Sequence, residues 1–191
     1  MTDRHPHPPP DQGEADLVAA VLAGHQQAFA GLVRLYQGRI YAMARGYFRN
    51  PEEASDVAQE VFLAVFASLP RFDRSRPFRH WLLRIATNHC IQHLRRKTRP
   101  PLPPDPPAPL PDPLEVQVQN EERERVRQAM DRLDEDLRDV VIHYYLLDQS
   151  CPDIAETLGI TLSLVKVRLL RARRAMVVIL KELEAIGSPR R

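Results

Sequence analysis

Residues 150–176 read SCPDIAETLGITLSLVKVRLLRARRAM, and the reading of this stretch decides the fold. Ser150 stands as a helix N-cap with Asp153 at the third helical position, a capping box in which Asp replaces the usual Glu or Gln. Pro152 is tolerated there because first-turn amides have no intrahelical acceptor. The short helix carries Ile154, Ala155 and Leu158 and stops at Gly159, a residue suited to a left-handed C-terminal cap. Thr161 can cap the next helix, whose inner stripe is Val165, Leu169, Ala172 and Met176. Ala155 is small where two helices must cross, and Ile160 plugs the turn. A short glycine turn between two such helices is the geometry of a helix-turn-helix. From Thr161 to Met176 there are five basic residues, Lys166, Arg168, Arg171, Arg173 and Arg174, and no acid, so the second helix suits a major groove. A helical hairpin with a solvated basic face is the plainer reading of the charges alone. The cap, the crossing residue, the turn and the acid-free helix together favour the helix-turn-helix.

Outward from this motif, charge is uneven along a chain that is nearly neutral overall (+2 over 191 residues). Arg71 to Arg99 holds nine Lys/Arg residues against one acid, Asp73. Between Asp112 and Asp139 acids outnumber bases. Two basic surfaces separated by an acidic stretch point to a polyanion held at two places. The two cysteines, Cys90 and Cys151, lie in different halves and make no disulfide framework, which fits a reducing compartment. The polar, proline-rich start has no apolar core of signal-peptide length, and no window approaches the ~18 apolar residues of a membrane span. The expectation is a cytoplasmic protein with no membrane span.

Proline divides the chain. Residues 1–13 read as a disordered tail, and residues 100–113, with nine prolines, as a polyproline-like linker. On either side the periodicity is helical. A first domain, 14–99, holds a short helix over 14–22, a long one from Gln26 to Phe48, a third from Pro51 to about Ser68, and a fourth from about Phe78 to Lys97. Asn50-Pro51-Glu52-Glu53 marks the restart of the third, with Asn50 as N-cap and Pro51 at the first helical position. Val57, Val61, Phe62, Val65 and Phe66 are expected to be its buried residues. A second domain, 114–186, begins with an acidic helix to about Leu133, continues with an apolar one over 137–147, and ends with the helix-turn-helix. No strand pattern of useful length occurs, so the fold class is all-α, in two domains.

Asp153-Ile154-Ala155-Glu156-Thr157-Leu158-Gly159-Ile160, followed by Val165-Lys166-Val167-Arg168-Leu169-Leu170-Arg171-Ala172-Arg173, resembles region 4 of extracytoplasmic-function sigma factors of the sigma-70 family. Asn50 to Phe62 resembles region 2 of the same family, as does Phe78 to Asn88 with the trailing Leu94-Arg95-Arg96. The resemblance covers about 25–98 and 130–180. It implies a non-enzymatic transcription initiation factor that binds core RNA polymerase and promoter DNA, with region 2 at the −10 element and region 4 at the −35 element. An anti-sigma factor is a further expected partner; no catalytic residue, metal or cofactor is expected. By this resemblance Asp56, Gln59 and Glu60 meet the polymerase clamp, on a side of their helix distinct from Val57, Val61 and Val65. Asn88 lies near the pocket for an unstacked −10 base, which its amide suits by both donating and accepting. Arg76, Arg79, Arg95, Arg96 and Lys97 are phosphate candidates. Trp81 is either a stacking platform or, with Phe78 and Ile85 at helical offsets, part of a core stripe. The −35 candidates are Lys166, Val167, Arg168, Leu170, Arg171, Arg173 and Arg174.

Val167 and Leu170 depart from the family, which commonly has a serine and a histidine or aromatic there, so the preferred promoter sequence is not legible. His89, Cys90 and His93 have a spacing that could ligate a metal, but Cys90 points about 100° away from His89 on a helix and no fourth ligand is apparent. A conventional helix-turn-helix regulator would leave the Asn50–Arg96 motif without a role. A helical metal-dependent hydrolase using His89 and His93 would need a nucleophile–base pair, a glycine-rich phosphate loop or clustered carboxylates, and none is legible.

Overall fold

The computed structural model describes residues 12–97 and 117–187; the tail, save its last two residues, and the proline-rich linker lie outside the described residues. Among the described residues every regular element is helical. The first half contains α1 (Gln12–Leu22), α2 (Phe29–Tyr47), α3 (Pro51–Ser68) and α4 (Phe78–Lys97). The second contains α5 (Gln117–Asp131), α6 (Glu135–Val141), a π turn (Ile142–Leu146), α7 (Cys151–Leu158) and α8 (Leu162–Gly187).

Local chemistry sets the breaks. After Tyr47 the backbone turns extended at Phe48. The Asn50 side chain then accepts the Glu52 amide at 2.8 Å, with Pro51 at the first helical position. Glu52 and Glu53 place negative charge at the positive end of the new helix. Leu32, Tyr36, Ile40, Met43, Ala44 and Tyr47 of α2 pack on Val57, Val61 and Val65 of α3 and on Phe78, Leu82, Leu83, Ala86 and Cys90 of α4. Two expected core residues of α3 differ: Phe62 is half-buried, and Phe66 is exposed, with its ring edge-on to Phe29. The stripe at intervals of four takes the core face, and Phe62 and Phe66 sit one residue, about 100°, further round.

The apolar segment over 137–147 is not one regular helix. It is α6 followed by the π turn, in which the Leu147 amide reaches back five residues to the Ile142 carbonyl at 3.1 Å. Five successive residues, Asp139 to His143, are buried. No single neighbour could cover five consecutive positions of a helix, and here there are two. Val140 packs into a small cluster with Ile154, Val165 and Leu169, while Val141 and Ile142 join the core of the first half. Met130, Leu133, Leu147 and Ala172 join it as well, so the halves share one core.

Buried polar groups cross the same junction. Tyr47 donates to Asp139 at 2.5 Å. Thr87 of α4 lies 2.9 Å from Nε2 of His143, whose Nδ1 lies 2.5 Å from the Gln149 carbonyl oxygen; the Gln149 amide donates to Thr157. A proton on Nδ1 serves the Gln149 contact, while the Leu83 carbonyl, 2.8 Å from Thr87 Oγ1, and His143 Nε2 compete for the one Thr87 hydroxyl proton. Burial pushes the Asp139 carboxyl up to about 6, with Glu135 and Asp136 adding to the effect and the Tyr47 hydrogen bond and Arg168 opposing it. Burial pushes His143 down to about 4, against the Gln149 hydrogen bond.

These two groups oppose each other in acid. As pH falls from about 6 to about 4, the native state takes up a proton at Asp139 that the unfolded chain, with an ordinary value of 3.8, still declines, which stabilises the fold. Over nearly the same window the unfolded chain protonates His143 at its ordinary 6.5 while the native state declines, which destabilises it. Relative to wild type, Asp139→Asn should lose stability between pH 6.5 and 4.5. His143→Gln should gain over the same interval, each by up to about 1 kcal/mol per pH unit. Urea unfolding followed by circular dichroism at the two pH values checks this, and parallel behaviour of the two variants would contradict it.

Candidate nucleic-acid interface

The helix-turn-helix is built as its sequence indicates. Ser150 Oγ accepts the Asp153 amide and the Asp153 carboxylate accepts the Ser150 amide, both at 3.3 Å, so the shorter Asp still closes the capping box. Gly159 is left-handed (φ 67°), and the Ile160 amide returns to the Ala155 carbonyl. Thr161 Oγ1 accepts the Leu164 amide at 3.2 Å and caps α8. Val165, Leu169 and Ala172 are fully buried. On the opposite side of α8, Lys166, Val167, Leu170 and Arg171 are exposed, with Val167 at 43% and Leu170 at 47%. These two therefore lie outside the apolar stripe.

Not all the basic residues of α8 face outward. Arg168 is bonded to Asp136 of α6. Arg173 donates to the Tyr145 hydroxyl at 2.8 Å and lies within 6 Å of the Tyr144 and Tyr145 ring centres, a cation–π arrangement. Arg174 is exposed. The sequence carried no signal for Arg168 or Arg173, because both partners lie about thirty residues upstream.

On the first half, Asp56, Gln59 and Glu60 form an exposed polar stripe on α3, opposite the buried valines. Leu63 continues that stripe and is 71% exposed, which the sequence reading missed. Glu60 lies 2.9 Å from His89 Nε2, and this contact holds its carboxyl below the usual range. His93 lies 3.5 Å from Glu53. The histidines thus pair with acids of α3. Cys90 sits apart in the core, its thiol pushed up to about 12 by burial. Among the described residues no group of three or more ligating side chains forms a metal site.

The α4 surface is mixed. Asn88, Arg76 and Arg96 are exposed, and Arg76 lies 3.7 Å from Asp73. Trp81 packs at 5.0 and 5.6 Å from the Phe72 and Phe78 ring centres at the margin of the core, so one edge of the indole is committed to packing. The Lys97 side chain lies outside the described residues. Arg95 donates to Glu135 of α6 at 2.8 Å. Arg79 is only 12% exposed and lies 4.0 Å from Asp153 of α7. Beside it, the ring nitrogens of buried His80 lie 3.3 Å from an Asp153 carboxylate oxygen and 2.9 Å from one of Glu156. The fold thus brings together two groups the sequence kept separate: bases of α4 and acids of the helix-turn-helix half.

This order of elements matches known proteins along most of its length. Residues 32–100 match the Sigma-70 region 2 family, and residues 123–176 match the family described as Sigma-70, region 4. The ECF RNA polymerase sigma factor SigW of Bacillus subtilis (strain 168) is 31% identical over 180 residues, covering 87% of this chain and 96% of its own length. The ECF RNA polymerase sigma factor SigM of Mycobacterium tuberculosis (strain ATCC 25618 / H37Rv) is 31% identical over 170 residues, covering 89% and 86%. Among solved structures, CnrH in complex with the cytosolic domain of CnrY is 28% identical with a TM-score of 0.71, covering 90% of this chain and 99% of that one. With regions 2 and 4 both present, in this order, and with relatives 31% identical over most of both chains, the protein belongs to the extracytoplasmic-function sigma factors of RNA polymerase.

Proposed function

We propose that this sigma factor holds core RNA polymerase with the outer face of α3, reads the −10 element with α4, and reads the −35 element with the exposed face of α8. Family membership supplies the general activity, promoter-specific transcription initiation. The residue assignments rest chiefly on one observation: each half keeps polar or basic side chains exposed on a helix whose other side is core. On α3 these are Asp56, Gln59 and Glu60; on α4, Asn88 and Arg96, with Arg76 in the turn before it; on α8, Lys166, Arg171 and Arg174. The working units are 14–99 and 114–186, joined by 100–113. The chain acts by binding and is not an enzyme. It works in the cytoplasm, where its polymerase is, and no helix among the described residues is long and apolar enough to cross a membrane. CnrH was solved in complex with the cytosolic domain of CnrY, and an anti-sigma partner is proposed for this chain.

Asp56→Arg combined with Gln59→Ala should weaken binding to core polymerase by roughly tenfold or more, since it reverses a charge on an exposed contact face without touching the core. A fluorescence titration of the double variant with core enzyme reads this directly, and unchanged affinity overturns the α3 assignment.

Asn88→Ala should impair promoter opening more than closed-complex formation, because an unstacked base exists only after strand separation. Permanganate footprinting beside a duplex binding assay distinguishes the two steps. Equal loss in both would make Asn88 a structural residue.

On α8, exposed Arg171 can donate two hydrogen bonds to a guanine, a contact worth about 1–3 kcal/mol of discrimination. Val167 and Leu170 offer no hydrogen bonds and instead suit a thymine methyl in the major groove. Promoter libraries selected with wild type and with Val167→Ser should differ at −35 positions and agree at −10. Identical −35 preferences would reduce Val167 to surface filler.

A further inference from the structure

His89 and His93 belong neither to the −10 set nor to the polymerase set, yet both face α3. They stand four residues apart, on one side of α4. Across from them α3 presents Glu53 and Glu60, seven residues apart and so also on one side. His89 Nε2 lies 2.9 Å from Glu60 Oε2, and the same oxygen lies 3.9 Å from His93 Nδ1. His93 Nε2 lies 3.5 Å from Glu53, and its ring stands edge-on to buried Phe48, 5.2 Å between centres.

An ionised carboxylate only accepts, so His89 Nε2 carries the proton in the first of these pairs. That hydrogen bond is the main cause that holds the Glu60 carboxyl below the usual range; slight burial opposes it, and the charges of His89, His93 and Arg96 assist it. Glu60 is still a surface group, with 49% of its side chain exposed against 24% of His89. It continues the outer stripe of exposed Asp56, Gln59 and Leu63. A glutamate standing free on such a face turns about several bonds, and a partner must freeze them on binding. Here one oxygen is already held from the neighbouring helix while the negative charge stays at the surface. Two acids one helical turn apart, Asp56 and Glu60, fit a basic surface on the partner.

We propose that His89 is a positioning residue for polymerase binding: from α4 it holds the Glu60 carboxylate on the outer face of α3, in place for a basic surface of core polymerase. The proposal rests on the assignment of α3 to polymerase made above. It also makes the contact sensitive to acid. Histidine is the side chain that gains charge between pH 5 and 8. An imidazolium beside Glu60 offsets the negative charge that a basic partner needs, so protonation of His89 weakens binding, and binding in turn expels that proton. Glu53 and Glu60 face the histidines from α3, Arg96 stands on their own helix, and Phe48 after α2 brings no charge. The Glu135 carboxylate of α6 is bonded to Arg95, and the α7 acids meet α4 about two and a half turns away, at Arg79 and His80.

The test is the affinity of the full chain for core polymerase, by fluorescence titration at pH 8 and pH 6 and one salt concentration. At pH 8 His89→Ala should bind roughly fivefold more weakly than wild type, the effect of freezing one long side chain on binding. His89→Gln, whose amide sets an N–H where Nε2 stands, should match wild type at pH 8. At pH 6 it should bind more tightly than wild type, because it cannot take up the opposing charge. Titration of Asp139 and His143 is common to both proteins and cancels in that ratio. In a Glu60→Gln background neither substitution of His89 should matter. Circular dichroism checks that each variant keeps its helices. Glu60→Gln that binds as wild type overturns the assignment of Glu60 to polymerase, and the proposal with it. Weaker binding by Glu60→Gln with none by His89→Ala overturns the positioning role alone. His89→Gln as weak as His89→Ala, or no tighter than wild type at pH 6, overturns it as well and leaves the α3 assignment standing.

Discussion

The run from Asp139 to His143, where α6 enters the π turn, is buried on two sides at once, and the arrangement of both halves follows from that. A regular helix presents one stripe to one neighbour. Here Val140 faces the helix-turn-helix, while Ile142, two residues and about 200° further round, faces the first half. Burying Ile142 and Leu147 against the first half stabilises the junction by about 1.5–3 kcal/mol for each side chain. That is far more than the exposed Arg95–Glu135 pair provides, since ion pairs in solvent are worth about 0–1 kcal/mol. The apolar contacts therefore set how strongly the halves dock. The charge pairs set which surfaces are covered when they do.

Buried polar groups add specificity to that junction. His143, Gln149, Thr157 and Thr87 form one chain of hydrogen bonds, and Tyr47 and Asp139 form another. Two of these contacts, Tyr47–Asp139 and Thr87–His143, join the halves and form only in this register; leaving a buried polar group unpaired costs about 1–3 kcal/mol. An apolar patch alone would permit sliding; these hydrogen bonds do not.

The parts legible in the sequence were those whose cause is local. Asn50, Ser150, Gly159 and Thr161 act within three or four residues, and each sits in the structure where its cap chemistry placed it. The stripe of Val165, Leu169 and Ala172 was legible for the same reason, as was the outward face of Lys166, Val167, Leu170 and Arg171. What periodicity could not supply were contacts between distant segments. Arg168 and Arg173 looked like DNA contacts because their partners, Asp136 and Tyr145, lie on other elements. Arg79 looked free because Asp153 was already explained as a cap. The π turn was unreadable because its residues, Ile-His-Tyr-Tyr-Leu, include no glycine or proline and carry no break signal. The acidic stretch was read as separating two basic surfaces, whereas Glu135 meets Arg95 of the first surface and Asp131 meets Arg49.

The central claim is that this chain gives RNA polymerase its choice of start sites, with the two halves reading two separate promoter elements. The most direct measurement is run-off transcription of the source genome by core polymerase with and without the purified protein, followed by mapping of the 5′ ends. The account predicts a set of starts that appears only with the protein and shares two conserved elements at a constant spacing, near −10 and −35. Starts that are the same with and without the protein, or protein-dependent starts sharing a single upstream element, would contradict it.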